Sequence, residues 1–356
     1  MVTRKKQAST LVKTVAAASL AALAFSSSAM ADRVLLKTPI AFGTNLTGLG
    51  TPIVRVAEQL NAMSGGDIRM KVYEPNKLVA PFEILDAVST GKVNAGYTTA
   101  GYWAGKMKAA NLFSAVPFGP EAGEYMAWMY FGNGLKLYQE MYDTNGYNVK
   151  VLPCAIIAPE TAGWFPKPID KPEDLQGLKM RFFGLGGIVM SKLGVSVSLL
   201  PGGEIFPALE KKAIDATEFS MPAIDKLLGF HKLVKYNYFP GWHQQATIFE
   251  LMINKDEWNK MNESQQAIIE NACKASMAES FAEGEAAQFA QITENAEKNG
   301  VHNLRWNDTM LAAFKSAWDE VAAEESQDAG FKKVYDDLTQ FREGYKVWKE
   351  LGFLPR

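Results

Sequence analysis

The sequence predicts an α/β protein made of open sheets whose strands alternate with helices. From residue 34 onward, β-branched and aromatic runs alternate with amphipathic segments, in the order strand, helix, strand, helix, strand. The chain is 47% hydrophobic and 21% charged, as in globular proteins. A helical pattern also begins near Asn262 and continues to Gly300, without the heptad register of a coiled coil.

The first part of this pattern can be read element by element. The run VLLKTPIAF predicts a buried strand, and a helix is expected from about Thr51 to Met63. DIRMKVYEP alternates as a second strand, and PFEILDAVSTGKVNAGYTT predicts a helix followed by a third strand. Further on, NVKVLPCAII predicts another buried strand.

The segment GLKMRFFGLGG predicts a strand with an outward-pointing Arg181 and then a glycine-rich turn. A helix is expected to begin near Glu204, followed by a strand that ends at Glu218. Glycines in the turn, at Gly184, Gly186 and Gly187, would let the backbone approach a ligand closely because they lack a Cβ atom.

The N-terminus has the pattern of a secretory signal peptide. Basic residues come first, then the apolar run TVAAASLAALAF, then SSSAMA with a small-x-small pattern that predicts cleavage after Ala31. The apolar run is too short to span a membrane. Removing residues 1–31 takes away four basic residues and no acidic ones, which changes the formal charge from −2 to −6. A mildly acidic, exported protein is a poor candidate for binding nucleic acid.

Two cysteines, Cys154 and Cys273, would lie in an oxidising compartment. Cys154 is in an apolar strand and Cys273 is in the middle of a helical pattern, so either a disulfide or two buried thiols is compatible with the sequence. Free thiols are the expectation favoured by the pattern. The three histidines do not have the spacing of a zinc site.

Arg181 is the leading candidate for ligand binding. Met180, Phe182 and Phe183 indicate a buried strand, in which an unpaired guanidinium would be costly. Arginine binds carboxylates through a planar, permanently charged fork, so a ligand carboxylate would supply the partner. Glu218, at the end of another strand, is expected at the same site, although an exposed glutamate is the simpler alternative.

An aromatic pair, Tyr102 and Trp103, follows the third strand. Ligands of open α/β sheets bind beyond the carboxyl ends of the strands, so both are candidates for contact with the ligand, with Tyr102 ahead of Trp103. Core packing is the alternative for each of them.

GLKMRFFGLGG and LPGGEIFPALEKKAIDATEF resemble the corresponding segments of the periplasmic solute-binding proteins of TRAP transporters, in the DctP-type family. GFHKLVKYNYFPGWHQQATIFELMINK is similar to the branch that binds 2-oxo acids and other small monocarboxylates. The likeness extends from VLLKTPIAF to FREGYKVWKELGFLPR. The order and spacing of the motifs together are specific.

The resemblance implies a two-lobe periplasmic binding protein fold with mixed sheets, a hinge and a long helix that spans both lobes. It places the signal peptide at 1–31, lobe I at 32–155 with about 246–285, lobe II at 156–245 with about 286–330, and a helical tail at 331–356. The implied function is capture of a small organic acid in the periplasm, for delivery to the small and large membrane subunits of the transporter. Another organic anion, such as a dicarboxylate or an aromatic acid, is the alternative.

The resemblance also implies a metal ion at the ligand. Glu160, Glu218 and the Phe219 carbonyl would bind it, Arg181 would bind the ligand carboxylate, and Gln244 aligns with a polar residue near the ligand. Relatives usually carry Gln where this chain has Glu160. Two glutamates and an anionic ligand within about 4 Å would repel one another by several kcal/mol at an effective dielectric near 20. A divalent ion balances this charge, so Ca²⁺ is expected rather than Na⁺.

The tail FKKVYDDLTQFREGYKVWKELGF carries an aromatic stripe at helical spacing. The stripe includes Phe331, Val334, Tyr335, Leu338, Phe341, Tyr345 and Trp348. It predicts an exposed face for a homodimer, with intramolecular packing as the alternative.

An exported metal-dependent lyase or hydrolase with Glu160 and Glu218 as acid and base is the competing class of function. The sequence has no nucleophile elbow, zinc signature or phosphate loop, so no enzymatic activity is expected.

Overall fold

The computed structural model describes residues 33–354. The predicted signal peptide at 1–31 lies outside these described residues. Between residues 33 and 354, no helix combines the length and the apolar character that crossing a bilayer requires.

The first group of strands forms two small sheets. These strands are β1 (Val34–Pro39), β2 (Ile68–Tyr73), β3 (Ala95–Thr98), β4 (Val149–Ile157) and β10 (Thr247–Asn254). β1 and β2 pair in parallel, and β10 lies antiparallel between β3 and β4. A single bridge between Ile40 and Tyr97 connects the two sheets. The predicted strands of this region are confirmed.

The second group forms one mixed sheet of six strands, in the order β11, β9, β5, β8, β6, β7. They are β5 (Gly163–Phe165), β6 (Lys179–Arg181), β7 (Ser196–Ser198), β8 (Ala216–Thr217), β9 (Tyr236–Phe239) and β11 (His302–Arg305). β8, β6 and β7 run in parallel, and β5 is antiparallel to both β8 and β9. Strand β10 therefore belongs with the N-terminal strands, as the lobe assignment requires, while the exact lobe boundaries stay a prediction.

Eleven α-helices lie in the described part of the chain. They are α1 (Thr51–Met63), α2 (Ile84–Ser89), α3 (Ala122–Phe131), α4 (Gly134–Thr144), α5 (Gly184–Lys192), α6 (Gly202–Glu210), α7 (Pro222–Leu227), α8 (Lys255–Lys260), α9 (Glu263–Asn299), α10 (Asp308–Glu325) and α11 (Ala329–Gly352). The bounds predicted for α1 are confirmed. Helix α6 begins two residues before Glu204.

The long helix α9 is the element that connects the two groups of strands. Its first turn is closed by a capping box between Asn262 and Gln265, and it ends at Gly300 in the left-handed conformation, with φ 62°. It packs against β4 and α1 of the first group and against α7 and β11 of the second. The Ser280 hydroxyl bonds to the backbone N–H and C=O of Ile156, which fixes the helix to β4. The predicted long helix is confirmed.

The glycine cluster after β6 is helical, which corrects the predicted turn. Gly184, Gly186 and Gly187 lie in the first turns of α5. A Cβ atom on Gly186 would come within 2.7 Å of the Phe182 ring and 2.8 Å of the His243 side chain. The glycine therefore permits close packing of the helix on the site, rather than a close approach of the backbone to a ligand.

Cys154 and Cys273 form a disulfide, so the expectation of free thiols was wrong. Cys154 is on β4 and Cys273 is on α9, and their Cα atoms are 4.2 Å apart. The pairing depends on the packing of this helix on this strand, which the sequence pattern did not reveal.

The C-terminal helix α11 is buried over its first half, which corrects the predicted exposed stripe. Phe331, Val334 and Leu338 are at most 4% exposed. Its last turns do present apolar side chains, with Trp348 59% and Leu351 84% exposed.

Replacing both cysteines by alanine should lower the free energy of unfolding by about 4 kcal/mol. The disulfide closes a segment of 119 residues and so restricts the unfolded chain strongly. Urea unfolding of the double variant and the wild type would measure the difference. The two proteins should unfold alike when dithiothreitol is present, and equal stability under oxidising conditions would contradict the prediction.

Glu250, on β10, should make stability depend on pH. It is fully buried and accepts hydrogen bonds from Trp103, Tyr138 and Tyr142, and burial raises its pKa to about 6 from an ordinary 4.5. The raised pKa means that the folded state favours the neutral acid. Its contribution is therefore fully present below pH 4.5 and falls by about 2 kcal/mol as the pH rises through 6.

The Glu250→Gln variant cannot titrate at this position, so the difference in unfolding free energy between wild type and variant should decrease by that amount from pH 4 to pH 7. Urea unfolding at intervals of half a pH unit would measure it. A difference that is constant with pH would show that Glu250 titrates normally.

Candidate functional site

A small cavity lies at the ends of strands from both groups. Its polar wall is formed by Glu160, Arg181, Gln244 and Thr247. Its apolar wall includes Phe42, Tyr102, Phe183, Phe219 and Phe249. The structure thus brings together five residues that the sequence analysis assigned to the site, Arg181, Tyr102, Glu160, Phe219 and Gln244, and their roles in binding stay predictions.

Arg181 is the last residue of β6, and its side chain is buried rather than outward-pointing. Its Nε donates to the Leu200 carbonyl at 3.1 Å. Its Nη1 donates to the Glu218 carbonyl at 2.7 Å and to Glu218 Oε2 at 3.0 Å. These bonds use three of the five guanidinium N–H groups, and the two on Nη2 make no hydrogen bond to another described residue. The expectation that the guanidinium lacks a partner within the protein was therefore wrong.

Glu218 directly follows β8 and is fully buried. Its Oε2 accepts from the Phe183 N–H at 2.9 Å as well as from Arg181, and its Oε1 lies 3.7 Å from His243 Nε2. Burial opposes its ionisation, but the charge of Arg181, the His243 imidazole and the Phe183 N–H together lower its pKa below the usual value. Glu218 is therefore the ionised acid of the site.

Glu160 follows β4 and is also buried, at 3% exposure. The Thr247 hydroxyl lies 3.4 Å from its Oε1. Burial, and then the nearby charges of Glu218 and Asp225, raise its pKa well above the usual range. The pKa values of the two acids are thus shifted in opposite directions, and Arg181 hydrogen-bonds to Glu218 but not to Glu160.

Gln244 lies between these acids. Its terminal amide has one end 3.1 Å from Glu160 Oε2 and 3.2 Å from Glu218 Oε1. With nitrogen at that end, the amide donates to both carboxylates; with oxygen there, three oxygen atoms face a common centre. Calcium–oxygen distances of 2.3–2.6 Å place neighbouring ligands of an octahedral ion roughly 3.3–3.7 Å apart, close to these spacings.

His243 is a site residue that the sequence analysis assigned to no role. One ligand atom from each of Glu160, Glu218 and His243 lies within 4.8 Å of the others. The imidazole also contacts the Phe182 ring, with centroids 4.8 Å apart. A lone histidine after a Pro-Gly-Trp turn gives no sequence signal of this placement, because the turn approaches Glu160 only in the folded chain.

Tyr102 and Trp103, which are neighbours in sequence after β3, have different surroundings. Tyr102 lines the cavity, with its ring 5.9 Å from Phe42 and 5.6 Å from Phe183, and burial raises its pKa to about 12, so it stays a neutral phenol. Trp103 instead directs Nε1 to Glu250 Oε1 at 3.0 Å and is 1% exposed. Its predicted contact with ligand is thereby corrected, because the indole belongs to the core beside β10.

Phe219 contributes its aromatic ring to the site. The ring lines the cavity and lies 5.1 Å from the Arg181 guanidinium carbon, within cation–π range. The predicted role of its carbonyl as a cation ligand stays a prediction.

The chain resembles characterised proteins over most of its length. A monocarboxylate 2-oxoacid-binding periplasmic protein of Nostoc sp. is 35% identical over 323 residues, covering 90% of this chain and 86% of that protein. Two crystal structures of TRAP periplasmic solute-binding proteins each match with a TM-score of 0.85, covering 90% of this chain and 97% of theirs. The protein from Pseudoalteromonas atlantica, 29% identical, contains sodium and pyruvate. The protein from Colwellia psychrerythraea, 30% identical, contains calcium and pyruvate.

The family model for bacterial extracellular solute-binding proteins, family 7, matches residues 44–328. The two groups of strands and the long helix are those of the two-lobe periplasmic binding protein fold. The chain belongs to this family of TRAP transporter solute receptors, and it is a binding protein rather than an enzyme.

Proposed function

We propose that this protein captures a small 2-oxo monocarboxylate such as pyruvate, together with a cation, and delivers it to the membrane subunits of a TRAP transporter. The observation that carries the proposal is that one small cavity has two chemically different walls. Its polar wall includes Arg181, whose Nη2 donates to no described residue, together with Glu160 and Gln244, and its other wall is aromatic. A short acid with a charged head and an apolar end matches these walls.

The ligand carboxylate would bind Arg181 through Nη2. Because Nε and Nη1 already donate to Leu200 and Glu218, a bidentate fork that uses two nitrogen atoms would require a protein hydrogen bond to break. Nη2 can donate to one carboxylate oxygen without such a change, because neither of its N–H groups donates to a described residue. The rings of Phe42, Tyr102 and Phe249 would then enclose the apolar end of the ligand.

Glu160, Glu218 and the amide oxygen of Gln244 would hold the cation, with the Phe219 carbonyl as the further ligand expected from the family. These are the hard oxygen donors that calcium prefers, and their spacing fits. When bound, the cation would neutralise the acids and attract the keto and carboxylate oxygens of the ligand. Calcium makes the charges of two glutamates, one arginine, one ligand and the ion sum to zero, whereas sodium leaves one negative charge.

The location and partners follow from the same proposal. The signal sequence at 1–31 and the disulfide between Cys154 and Cys273 agree with an oxidising periplasm. There the two lobes would close over the ligand like a hinge, and the closed form would dock on the small and large membrane subunits. The exposed last turns of α11, around Trp348 and Leu351, would form the contact of a homodimer.

Arg181→Lys should weaken pyruvate binding at least about 100-fold, because it removes the Nη2 donors but keeps a positive charge beside Glu218. Isothermal titration calorimetry in calcium would measure this. Arg181→Ala should in addition lower stability by about 3–5 kcal/mol, since it leaves the Glu218 carboxylate buried without a cation. Unchanged pyruvate affinity in the lysine variant would show that Arg181 is not the carboxylate anchor.

Glu160→Gln should change the preferred cation from calcium to sodium. The variant removes one negative charge, so a monovalent ion now balances Arg181, Glu218 and the ligand. The stabilisation of the protein by pyruvate would be followed in a thermal shift assay after EDTA treatment, with calcium or sodium added back. Wild type should need calcium and the variant should respond to sodium.

Glu210→Gln, at an exposed position on α6, makes the same chemical change away from the site and serves as the control. It should keep the wild-type cation requirement. Pyruvate binding that is unaffected by EDTA in the wild type would contradict the cation site.

A further inference from the structure

A second, larger cavity adjoins the ligand cavity. We call it the outer groove; it is lined by Pro75, Pro81, Pro201, Gly203, Glu204 and Leu228, among others. Its lining shares two residues with that of the ligand cavity, Phe42 and Phe219. These two rings therefore form the boundary between the cavities.

Both boundary rings are held by their neighbours. Phe42 packs against three aromatic rings, with centroids 5.2 Å away at Phe249, 5.9 Å at Tyr102 and 6.4 Å at Tyr97. Phe42 is only 4% exposed and Phe219 only 7%.

The Phe219 ring is held by groups on two sides. It lies between the Arg181 guanidinium and Gly202, where an added Cβ atom would come within 2.6 Å of its ring. Neither ring can turn aside without displacing other buried groups, so the boundary is a wall of fixed position.

We propose that Phe42 and Phe219 set the maximum chain length of the ligand. This inference rests on the proposed function. A short 2-oxo acid bound at Arg181 would end before the two rings, and a longer aliphatic chain would meet them. The outer groove lies directly beyond them and takes the tail of a longer acid once the boundary is opened.

The chemistry of the outer groove specifies the kind of tail. Its walls are mainly proline, leucine, phenylalanine and glycine, which suits an apolar chain. Among the described residues that line it, Glu204 alone is charged, and it is exposed. A second carboxylate on the ligand would be repelled there, so the groove favours aliphatic 2-oxo monoacids over 2-oxo diacids.

The test measures the affinity of straight-chain 2-oxo acids with three to eight carbons, by calorimetry in the presence of calcium. For the wild type, we expect affinity to fall at least about 10-fold between the short and the long acids. In Phe42→Ala, the ratio of the affinity for the long acids to the affinity for pyruvate should rise at least about 10-fold. Phe42→Leu, which disturbs the core less, should show the same gain to a smaller extent and replaces the alanine variant if that variant does not fold.

Gly203→Leu gives an independent measurement of the groove. A Cβ atom at Gly203 meets no atom within 4 Å, so the leucine fills the groove without a clash at its Cβ. Combined with Phe42→Ala, it should remove the relative gain for long acids and leave the pyruvate affinity at the value measured for Phe42→Ala alone. Gly123→Leu is the matched control, because Gly123 is likewise the second residue of a helix with open space at its Cβ position.

The outcomes separate this inference from the proposed function. If pyruvate binds and affinity depends on chain length in the same way in the wild type and the Phe42 variants, the inference is wrong and the proposed function stands. A gain for long acids that Gly203→Leu leaves intact overturns the role of the outer groove. If no 2-oxo acid binds the wild type, the proposed function fails, and the inference that rests on it fails too.

Discussion

The ion pair between Arg181 and Glu218 is the interaction on which the site depends. It joins the ends of β6 and β8 inside the protein, and both side chains are at most 2% exposed. A buried pair of this kind gains little net stability from its mutual attraction, but loss of either member leaves a buried charge uncompensated. The pair also fixes the guanidinium plane, because Nε and Nη1 are occupied by backbone and carboxylate oxygens. The direction in which Arg181 can still donate is therefore set before any ligand arrives.

The second acid gives the site its electrostatic character. Arg181 can balance only one carboxylate, so burial and the charge of Glu218 raise the pKa of Glu160 far above that of an exposed glutamate. A glutamate whose protonated form is favoured and an amide at Gln244 are acceptable in a buried site because they can hydrogen-bond to each other. In the proposed binding mode, the same groups would become a set of hard oxygen ligands when a cation supplies the missing positive charge. The relatives with sodium and with calcium indicate that this kind of site accommodates either charge. We propose that the carboxylate of Glu160 makes this chain favour the higher charge.

The sequence was informative wherever a local pattern determined the structure. The capping box at Asn262 and the glycine at Gly300 defined the long helix to within a residue, and the buried strand around Arg181 indicated the polar wall. The failures all depended on tertiary packing. The disulfide requires α9 to lie on β4. Position 186 requires a glycine because the His243 side chain packs against it. Trp103 and Tyr102 are adjacent in sequence, yet a short helical turn directs one to the core and the other to the cavity.

The arrangement of the two walls explains how binding can be coupled to a change of shape. The rings of Phe42, Tyr102 and Phe249 come from chain segments next to the first group of strands, whereas Arg181 and Phe219 come from the second sheet. Neither half alone encloses the cavity, so a ligand can make all its contacts only when the halves are together. A ligand shifts an equilibrium between conformations only by its difference in affinity for them. In the proposed binding mode that difference would arise from contacts with both halves, because the charged head group would bind Arg181 in the second and the apolar end would pack on Phe42, Tyr102 and Phe249 in the first.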